Sequence, residues 1–598
     1  FVLSATGPLV QAWYAVRYPG RSPYRLYALS NIGSLGALVT YPFVFEPALD
    51  LPTQGFLWSG VFIGFGLCCA ALAVAVSRRS PAAGIGGEQA GLPSESPDWR
   101  KRQHWLWMPA LASVMLLAVT QHVCQDIVVI PFLWIAPLSL YLLSFIICFD
   151  RESWYRPSLF AWMGFLLVAW VAALNLRYDI DSLLQNSGFA FKFSSVGSSV
   201  SVQIGSYLSL LFVLCMLCHG ELVRRKPAAD YLTSFYLLVS VGGAVGGLFV
   251  SLICPLLFES YLELPLAMTA SLAFSLVIIV GQILPWRSAA QLSAALLIGC
   301  GVGVFVKSQL AEYQRNVASF DAVDKIQRQT IVARRNFFGV LRVVREIREE
   351  NPRDNQLNLF HGKTLHGIQF TDQERQLLPT AYYNENSGVG LMMKKYLKDQ
   401  PVKVAVVGLG IGTLAAYGRS GDQFDFYEIN PEVEQLANDY FTFLSKSAAN
   451  VQVIPGDARL SLEKSEGAHD TDLLVVDAFS GDSVPVHLLT AEAIQVYLDH
   501  LKPNGIVAIH ASTQHLRLIP VVVRLAEHHG IPCRIFTTRP APEREVVEDL
   551  ATWILLTRNQ QFLEDEEVKS KHQQPTGEDA RPVSLWTDKF SALYEIVR

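Results

Sequence analysis

The chain of 598 residues is 51% hydrophobic and 17% charged, has a formal net charge of −5 and a mean hydropathy of +0.28. It is longer than a single hydrophobic core normally holds, so more than one domain is expected, and it is too apolar for a wholly soluble protein. The negative charge argues against nucleic acid as a partner. Eight of the nine cysteines lie in the apolar first half, which excludes the disulfide framework of a secreted domain.

Apolar stretches dominate the first 306 residues, and we predict a multi-pass α-helical membrane domain over 1–306. The chain begins at Phe1, without Met, inside an apolar run that reaches Val16, and we interpret this run as a truncated membrane segment. Gly242 and Gly246 belong to a small-residue pattern that lets helices approach closely. Nine further stretches are long enough to cross a hydrocarbon core of about 30 Å, near 27–45, 55–76, 106–124, 128–149, 158–175, 204–220, 232–257, 265–284 and 288–306.

The charges of the loops indicate an orientation for the first spans. Lys and Arg cluster in alternate loops, at 17–25, 78–102, 151–156 and 224–226, which predicts that these loops are cytoplasmic. The same alternation places everything after Val306 outside, whereas basic residues between 307 and 335 favour the inside. The side of the membrane that carries the second half of the chain therefore stays open.

The second half changes character in chain order. Residues 307–335 are polar and compatible with a helix, and we interpret them as a connecting segment. Residues 336–395 predict a small β domain, because FFGVLRVVREI and LNLFHGKTLHGIQF are two strand-rich runs separated by the turn NPRDN. Residues 396–560 predict an α/β Rossmann-like domain with a parallel sheet, and 561–598 predict a flexible excursion and a short C-terminal segment. The predicted strands of the α/β domain are 404–407, 424–428, 451–454, 472–477 and 505–510.

Glycines and an acidic residue follow the first two of these strands. The first runs into Gly408, Gly410 and Gly412, and the second ends at Glu428 about twenty residues later, which is the nucleoside-binding arrangement of a doubly wound sheet. The glycines permit a tight turn and close approach of the backbone to a ligand, and Glu428 is placed to accept hydrogen bonds from two ribose hydroxyls. Capping is the alternative role of Glu428. Because a Walker pattern and its phosphate-binding lysine are absent, a nucleoside suits the site better than a triphosphate.

Two aspartates follow later strands of the same domain. Asp457 comes after the third strand, where it is placed to meet the exocyclic amine of adenine, although Asp is also a good helix N-cap. Asp477 follows the fourth strand. The carboxyl ends of parallel strands meet at one edge of the sheet, so all of these groups converge on one crevice and predict an enzyme. His487 and His510 lie on nearby loops, and we interpret both as structural.

These motifs resemble the spermidine synthases, or polyamine aminopropyltransferases, in which a small β domain precedes a methyltransferase-like sheet. The resemblance covers about 336–555 and extends to bacterial proteins in which such a domain follows a multi-spanning membrane region. It implies a class I methyltransferase-like fold for the Rossmann-like domain. It also implies a location in the bacterial inner (cytoplasmic) membrane.

The resemblance further implies a site for decarboxylated S-adenosylmethionine or S-adenosylmethionine as cosubstrate, with no metal expected. Glu428 matches the ribose ligand of the family and Asp457 the adenine ligand. The three glycines match the cosubstrate loop, and Gln369 in HGIQ matches the glutamine of the family's L-D-G-x-Q strand.

Catalytic residues carry over in the same way. Asp477, which opens DAFSGD, matches the first aspartate of the D-S-S-D motif, with which the family takes up the proton of the acceptor amine. Asp482 and Tyr383 are the candidates for holding that amine. The alternative for Asp477 is that it only ends its strand and orders the next loop.

Three positions depart from the family pattern. Ile411 replaces the aspartate that holds the ammonium of the aminopropyl group, and an ammonium facing isoleucine would lose a charge-assisted hydrogen bond worth about 1.5–3 kcal/mol. Asp482 lies five residues after Asp477 rather than three, and His366 replaces the aspartate of L-D-G-x-Q.

Three functions from different classes follow from these patterns. The first is transfer of an aminopropyl group to a diamine such as putrescine, with release of 5′-methylthioadenosine. The second is methyl or alkyl transfer from S-adenosylmethionine to another acceptor, which Ile411 favours. The third is a membrane transporter or scaffold with a nucleoside-sensing domain. The predicted partners are a diamine or polyamine, the lipid bilayer and, in a homo-oligomer, a second copy of the chain.

Overall fold

The chain divides into two compact units, one within 1–314 and one whose main part is Arg315–Arg598. The first is helical, and the second contains two β-sheets with their associated helices. The computed structural model describes residues 2–18, 23–79, 96–128, 132–187, 191–228, 231–283, 303, 306, 318–321, 326–396, 400–465, 469–478, 485–513, 515–539 and 550–597.

Seven described helices of the first unit are long and apolar enough to cross a bilayer, judged by length and composition. The helices Leu232–Leu257 and Trp99–Ile127 approach each other closely at two glycines. A Cβ on Gly242 or Gly246 would lie only 2.2 Å or 2.4 Å from a backbone carbonyl oxygen of the other helix. The close approach predicted for these glycines is confirmed. The long helices are Tyr24–Ala48, Leu51–Arg78, Trp99–Ile127, Pro157–Asn175, Val200–Arg224, Leu232–Leu257 and Glu263–Gly281, and the shorter ones include Val2–Arg17, Ile135–Asp150, Arg177–Asn186 and Phe193–Gly197.

Two of the predicted spans are not among the seven. The span predicted at 128–149 is shortened to the 16-residue helix Ile135–Asp150, which is about 24 Å long. The backbone is outside the right-handed helical region at two residues of the predicted span that precede this helix, because Val128 is extended and Phe132 has a φ of 66°. The span predicted at 288–306 lies almost wholly outside the described residues.

The small sheet of the second unit has five antiparallel strands in the order β1-β2-β3-β4-β5. They are Ala318–Asp321, Ile326–Asn336, Gly339–Arg348, Gln356–His361 and Thr364–Phe370. The helix-compatible interpretation of 307–335 is wrong for β1 and β2. Strand β2 is polar in sequence, but it pairs with β3 along its length, from Ile326 opposite Arg348 to Asn336 opposite Gly339. This pairing outweighs the local preference.

The second sheet is the predicted Rossmann-like sheet and has the order β11-β12-β10-β9-β6-β7-β8. Strand β12 is antiparallel to both of its neighbours, and the other adjacent pairs are parallel. The strand order reverses between β6 and β9, which makes their carboxyl ends the switch point where such sheets bind ligands. The strands are Lys403–Val407 (β6), Gln423–Glu428 (β7), Asn450–Pro455 (β8), Thr471–Val476 (β9), Leu501–His510 (β10), Cys533–Thr538 (β11) and Ala551–Thr557 (β12).

Helices cover this sheet and continue into the C-terminal segment. The segment predicted to be a flexible excursion contains helices at Gln560–Glu564 and Glu566–Lys571, so that prediction is wrong there. Apolar side chains explain the difference, because Phe562 and Val568 are buried in the core of the α/β domain. The remaining helices include Gly388–Tyr396, Pro431–Tyr440, Phe443–Lys446, Ala458–Lys464, Ala491–His500 and Leu518–His528.

Candidate active site

The glycine-rich loop after β6 touches the segment after β9. Gly408, Gly410 and Gly412 have φ angles of 99°, 55° and 78°, a region of backbone space that favours glycine. A Cβ on Gly408 would lie 2.4 Å from the carbonyl oxygen of Asp477, so only glycine lets the two segments pass this closely. The prediction that the glycine-rich loop and Asp477 converge is confirmed.

Glu428 ties the end of β7 to the same loop. Its Oε2 accepts a hydrogen bond from the backbone N–H of Leu409 at 3.0 Å, and its Oε1 accepts one from Asn430 at 2.8 Å. Burial raises the pKa of the Glu428 carboxyl, while these N–H groups act in the opposite direction. A carboxylate offers about four acceptor positions, and the backbone N–H of Ile429 also acts on this one, so about one remains for a ribose hydroxyl. Bracing the loop and binding ribose are compatible in one side chain, and the ribose contact stays a prediction.

Asp457 is the N-cap of the helix Ala458–Lys464. Its Oδ1 accepts a hydrogen bond from the backbone N–H of Leu460 at 2.9 Å, and its Oδ2 lies 2.9 Å from Nε2 of His487. The structure therefore confirms the helix-capping role that the sequence suggested as the alternative for Asp457. Each oxygen still has one free acceptor position by the same count, so the adenine contact stays a prediction.

Arg459 joins this region to the C-terminal segment. Its guanidinium donates two hydrogen bonds of 2.6 Å to the carboxylate of Asp588 and one of 2.8 Å to Glu463. The hydroxyl of Thr490 also donates to Asp588, at 2.8 Å. The C-terminal segment thus braces the helix Ala458–Lys464, which directly follows the predicted adenine ligand Asp457.

Asp477 receives a hydrogen-bonding group on each carboxylate oxygen. The hydroxyl of Tyr383 donates to Oδ2, and Nδ1 of His510 lies 2.7 Å from Oδ1. Burial, together with the charge of Asp477, raises the pKa of the Tyr383 hydroxyl well above its ordinary value. Tyr383 therefore stays protonated and acts as a donor. The structure brings together two of the predicted catalytic residues in direct contact.

Aromatic rings enclose the histidine of this cluster. The His510 ring is stacked against Tyr382, with centroids 4.7 Å apart, and against Trp553, with centroids 4.6 Å apart. The indole N–H of Trp553 donates to the backbone carbonyl of Tyr382 at 3.0 Å, which links the two outer rings. Beside the glycine-rich loop the structure therefore combines one buried carboxylate with a cluster of stacked aromatic rings.

Ile411 is a core residue. Its side chain is fully buried, and a Cβ on Gly367 of β5 would lie 2.5 Å from Ile411 Cγ1. The expectation that a ligand ammonium would face this side chain is wrong, because the loop directs Ile411 into the interior, where it packs with apolar residues of the small sheet and of the segment 436–443. Its companions are Leu341, Val343, Leu359, Leu436, Phe441 and Phe443.

Gln369 and His366 lie on β5. Both side-chain N–H groups of Gln369 are used within the protein, by the carbonyl of Gln376 at 2.9 Å and the hydroxyl of Thr442 at 3.0 Å. Its carbonyl oxygen also accepts a hydrogen bond from the backbone N–H of Thr442 at 3.0 Å. Gln369 therefore braces β5, and its contact with the cosubstrate stays a prediction. Burial lowers the pKa of His366 to about 4, so His366 is neutral near pH 7.

The third predicted catalytic residue, Asp482, lies outside the described residues. Within the part of the chain that the structure describes, no group of three or more His, Cys, Asp or Glu side chains is arranged to hold a metal ion.

No protein-family model matches the chain. Over 113 residues it is 31% identical to a polyamine aminopropyltransferase from Vibrio vulnificus, which covers 18% of this chain and 36% of that protein. The resemblance to the spermidine synthase family is confirmed. Over 150 residues the chain is also 32% identical to an N-terminal histidine N-methyltransferase from Emericella nidulans, which covers 24% of this chain and 26% of the relative.

The chain thus spans about a third or less of the length of these curated relatives. Among solved structures, a spermidine synthase from Thermotoga maritima aligns with 46% of this chain and 90% of its own length, at 11% identity and a TM-score of 0.29.

Two aromatic residues and one histidine of this site were not predicted from the sequence. Tyr382 and Trp553 carried no motif, and His510 was interpreted as structural. The available signal was position, because His510 ends β10, the neighbour of the strand that leads into Asp477. Trp553 lies directly opposite His510 on β12.

Proposed function

We propose that the second unit is an adenosyl-sulfonium-dependent amine transferase of the spermidine synthase type. Its leading reaction is transfer of an aminopropyl group from decarboxylated S-adenosylmethionine to a diamine such as putrescine. The observation that carries this proposal is the Asp477 carboxylate, buried beside the glycine-rich loop at the switch point of the sheet. The similarity to a protein named polyamine aminopropyltransferase supports the reaction type.

The chemistry is an in-line displacement. The acceptor nitrogen attacks the carbon next to the sulfonium, the C–S bond breaks, and its electron pair goes to sulfur, which leaves as 5′-methylthioadenosine. The acceptor arrives as an ammonium, so one proton must leave its nitrogen, and Asp477 receives it. The protein's main task is to align the two partners, because sulfonium is already a good leaving group.

The cosubstrate residues act on the other side of the crevice. Glu428 offers its remaining acceptor position to the ribose, and the glycine-rich loop allows the nucleoside to approach the backbone. Asp457 takes the adenine amine. Tyr383 holds Asp477 through its hydroxyl. Together with Asp482, Tyr383 also holds the acceptor amine.

A second candidate is methyl or alkyl transfer from S-adenosylmethionine. The sequence of the glycine-rich loop favours it, because the loop carries no aspartate at position 411 for the ammonium of a decarboxylated donor. The similarity to a protein named N-methyltransferase supports this alternative. S-Adenosylmethionine keeps the carboxylate that the decarboxylated donor lacks. The two candidates therefore differ in the donor and share the crevice.

Purified full-length chain in detergent, incubated with putrescine and either donor, tests both candidates. Release of 5′-methylthioadenosine supports aminopropyl transfer, and release of S-adenosylhomocysteine supports methyl transfer. Binding of either donor without product supports the third function, a sensing domain on a transporter or scaffold. Absence of 5′-methylthioadenosine with every diamine tried would overturn the leading reaction.

We also propose that the helical unit lies in the bacterial inner membrane and anchors the enzyme or conducts polyamine. Seven long apolar helices among the described residues support this location. Membrane fractionation with carbonate washing tests it, because an integral protein stays in the pellet. A reporter fused after Arg598, active on one side of the membrane only, identifies the side that carries the second unit.

A further inference from the structure

His510 lies at the carboxyl end of β10, with its side chain against Asp477. The two side chains are 7% and 2% exposed, and Nδ1 of His510 is 2.7 Å from Oδ1 of Asp477. An ionised carboxylate only accepts hydrogen bonds, so the proton between these atoms belongs to Nδ1. His510 therefore acts as a donor to Asp477.

A second donor acts on the opposite oxygen of the same carboxylate. Tyr383 donates to Oδ2 from the turn after β5, whereas His510 donates to Oδ1 from β10. Two donors on different elements fix the plane of the carboxylate. Asp477 is thus held in one orientation by a donor on each of its carboxylate oxygens.

The direction of the His510 donor is itself fixed. The rings of Tyr382 and Trp553 are both stacked on the His510 ring, with interplanar angles of 19° and 21°. Trp553 is fully buried, and its indole N–H holds the backbone of Tyr382. Rotation of the imidazole out of this stack would break both ring contacts, so the stack keeps Nδ1 aimed at Asp477.

We propose that His510 is a positioning residue for the acceptor amine: it holds the Asp477 carboxylate in the orientation that binds the acceptor's ammonium. The inference rests on the proposed transferase function and adds a residue to it. His510 does not touch the reacting atoms. It acts through Asp477, and the group that matters is the Nδ1–H donor rather than the ring as a space-filling element.

Two substitutions separate the donor from the ring. His510→Asn keeps an N–H donor close to the position of Nδ1 and loses the ring, whereas His510→Phe keeps a stacking ring and loses the donor. We expect His510→Phe to lower kcat by about tenfold to a hundredfold, because the variant loses one hydrogen bond to a charged group. We expect His510→Asn to restore most of that loss. Calorimetric binding of 5′-methylthioadenosine should be unchanged in both variants.

Each other outcome overturns the inference. Full kcat in His510→Phe would mean that the donor is dispensable. A loss in His510→Asn as large as in His510→Phe would mean that the ring matters rather than its donor. Failure of His510→Phe to bind 5′-methylthioadenosine would assign His510 to the architecture of the fold.

A binding measurement keeps this test independent of turnover. Putrescine is titrated calorimetrically into full-length chain saturated with 5′-methylthioadenosine. We expect about tenfold to a hundredfold weaker binding to His510→Phe than to wild type, with recovery in His510→Asn. If wild type forms no product, the proposed reaction fails, while this titration still decides whether His510 prepares Asp477 for an ammonium. Equal affinity in wild type and His510→Phe, or undetectable binding to wild type, would overturn the role.

Discussion

Replacing Ile411 with aspartate would restore the family's residue at this position, yet we expect it to destabilise the protein. Ile411 is fully buried and packs against β5 and the small sheet. Removing a buried aliphatic side chain of this size costs about 2–5 kcal/mol. An unpaired carboxylate in the same place adds several kcal/mol. The sum is comparable with the whole stability of a typical domain, about 5–15 kcal/mol.

The assay compares Ile411→Asp with Ile411→Val in the full-length chain. Ile411→Val should cost about 0.5–1.5 kcal/mol and leave binding of both donors intact. Ile411→Asp should lower the midpoint of thermal unfolding far more and gain no affinity for decarboxylated S-adenosylmethionine. A variant as stable as Ile411→Val that binds this donor at least about tenfold more tightly would refute our reasoning, because the new carboxylate would then reach the donor's ammonium.

Three further predictions concern titratable groups of the second unit. Asp477→Asn should lower product formation by about a hundredfold or more without weakening donor binding, since it keeps the shape and removes the proton acceptor; unchanged turnover would exclude Asp477 as the base. The pKa of His366, lowered to about 4, means that below about pH 6.5 the unfolded chain binds a proton that the folded chain does not. The free energy of unfolding should therefore decrease as the pH is lowered from about 6.5 to about 4, by at most about 1.4 kcal/mol per pH unit. The decrease should be less steep in His366→Asn. Equal slopes of the thermal midpoint against pH in the two proteins would contradict this. Asp588→Asn should cost about 1–3 kcal/mol by weakening the Arg459 pair, measured as a lower thermal midpoint, whereas the neighbouring Lys589→Gln serves as the control and should change little.

The central strands of the Rossmann-like sheet were predictable because they are buried on both faces. Such strands are almost continuously apolar in sequence, and β6 and β9 match their predicted positions within one residue at each end. Strands β1 and β2 were not predictable in the same way. Their sequence is polar, and their strand conformation depends on the pairing of β2 with β3 and of β1 with β2. The C-terminal helices were likewise not predictable from their sequence. Their few apolar residues stabilise them only by packing into the core of the α/β domain, which is formed by remote segments.

The sequence by itself determined which residues meet at the crevice. Glycines and carboxylates that follow parallel strands must converge at one edge of the sheet, so Gly408, Glu428 and Asp477 could be assembled from their order alone. Only the tertiary structure decided where other side chains point. Ile411 turns inward because β5 packs against it, and His510 faces Asp477 because distant aromatic residues hold its ring. These directions depend on contacts between remote segments, which local sequence patterns do not encode.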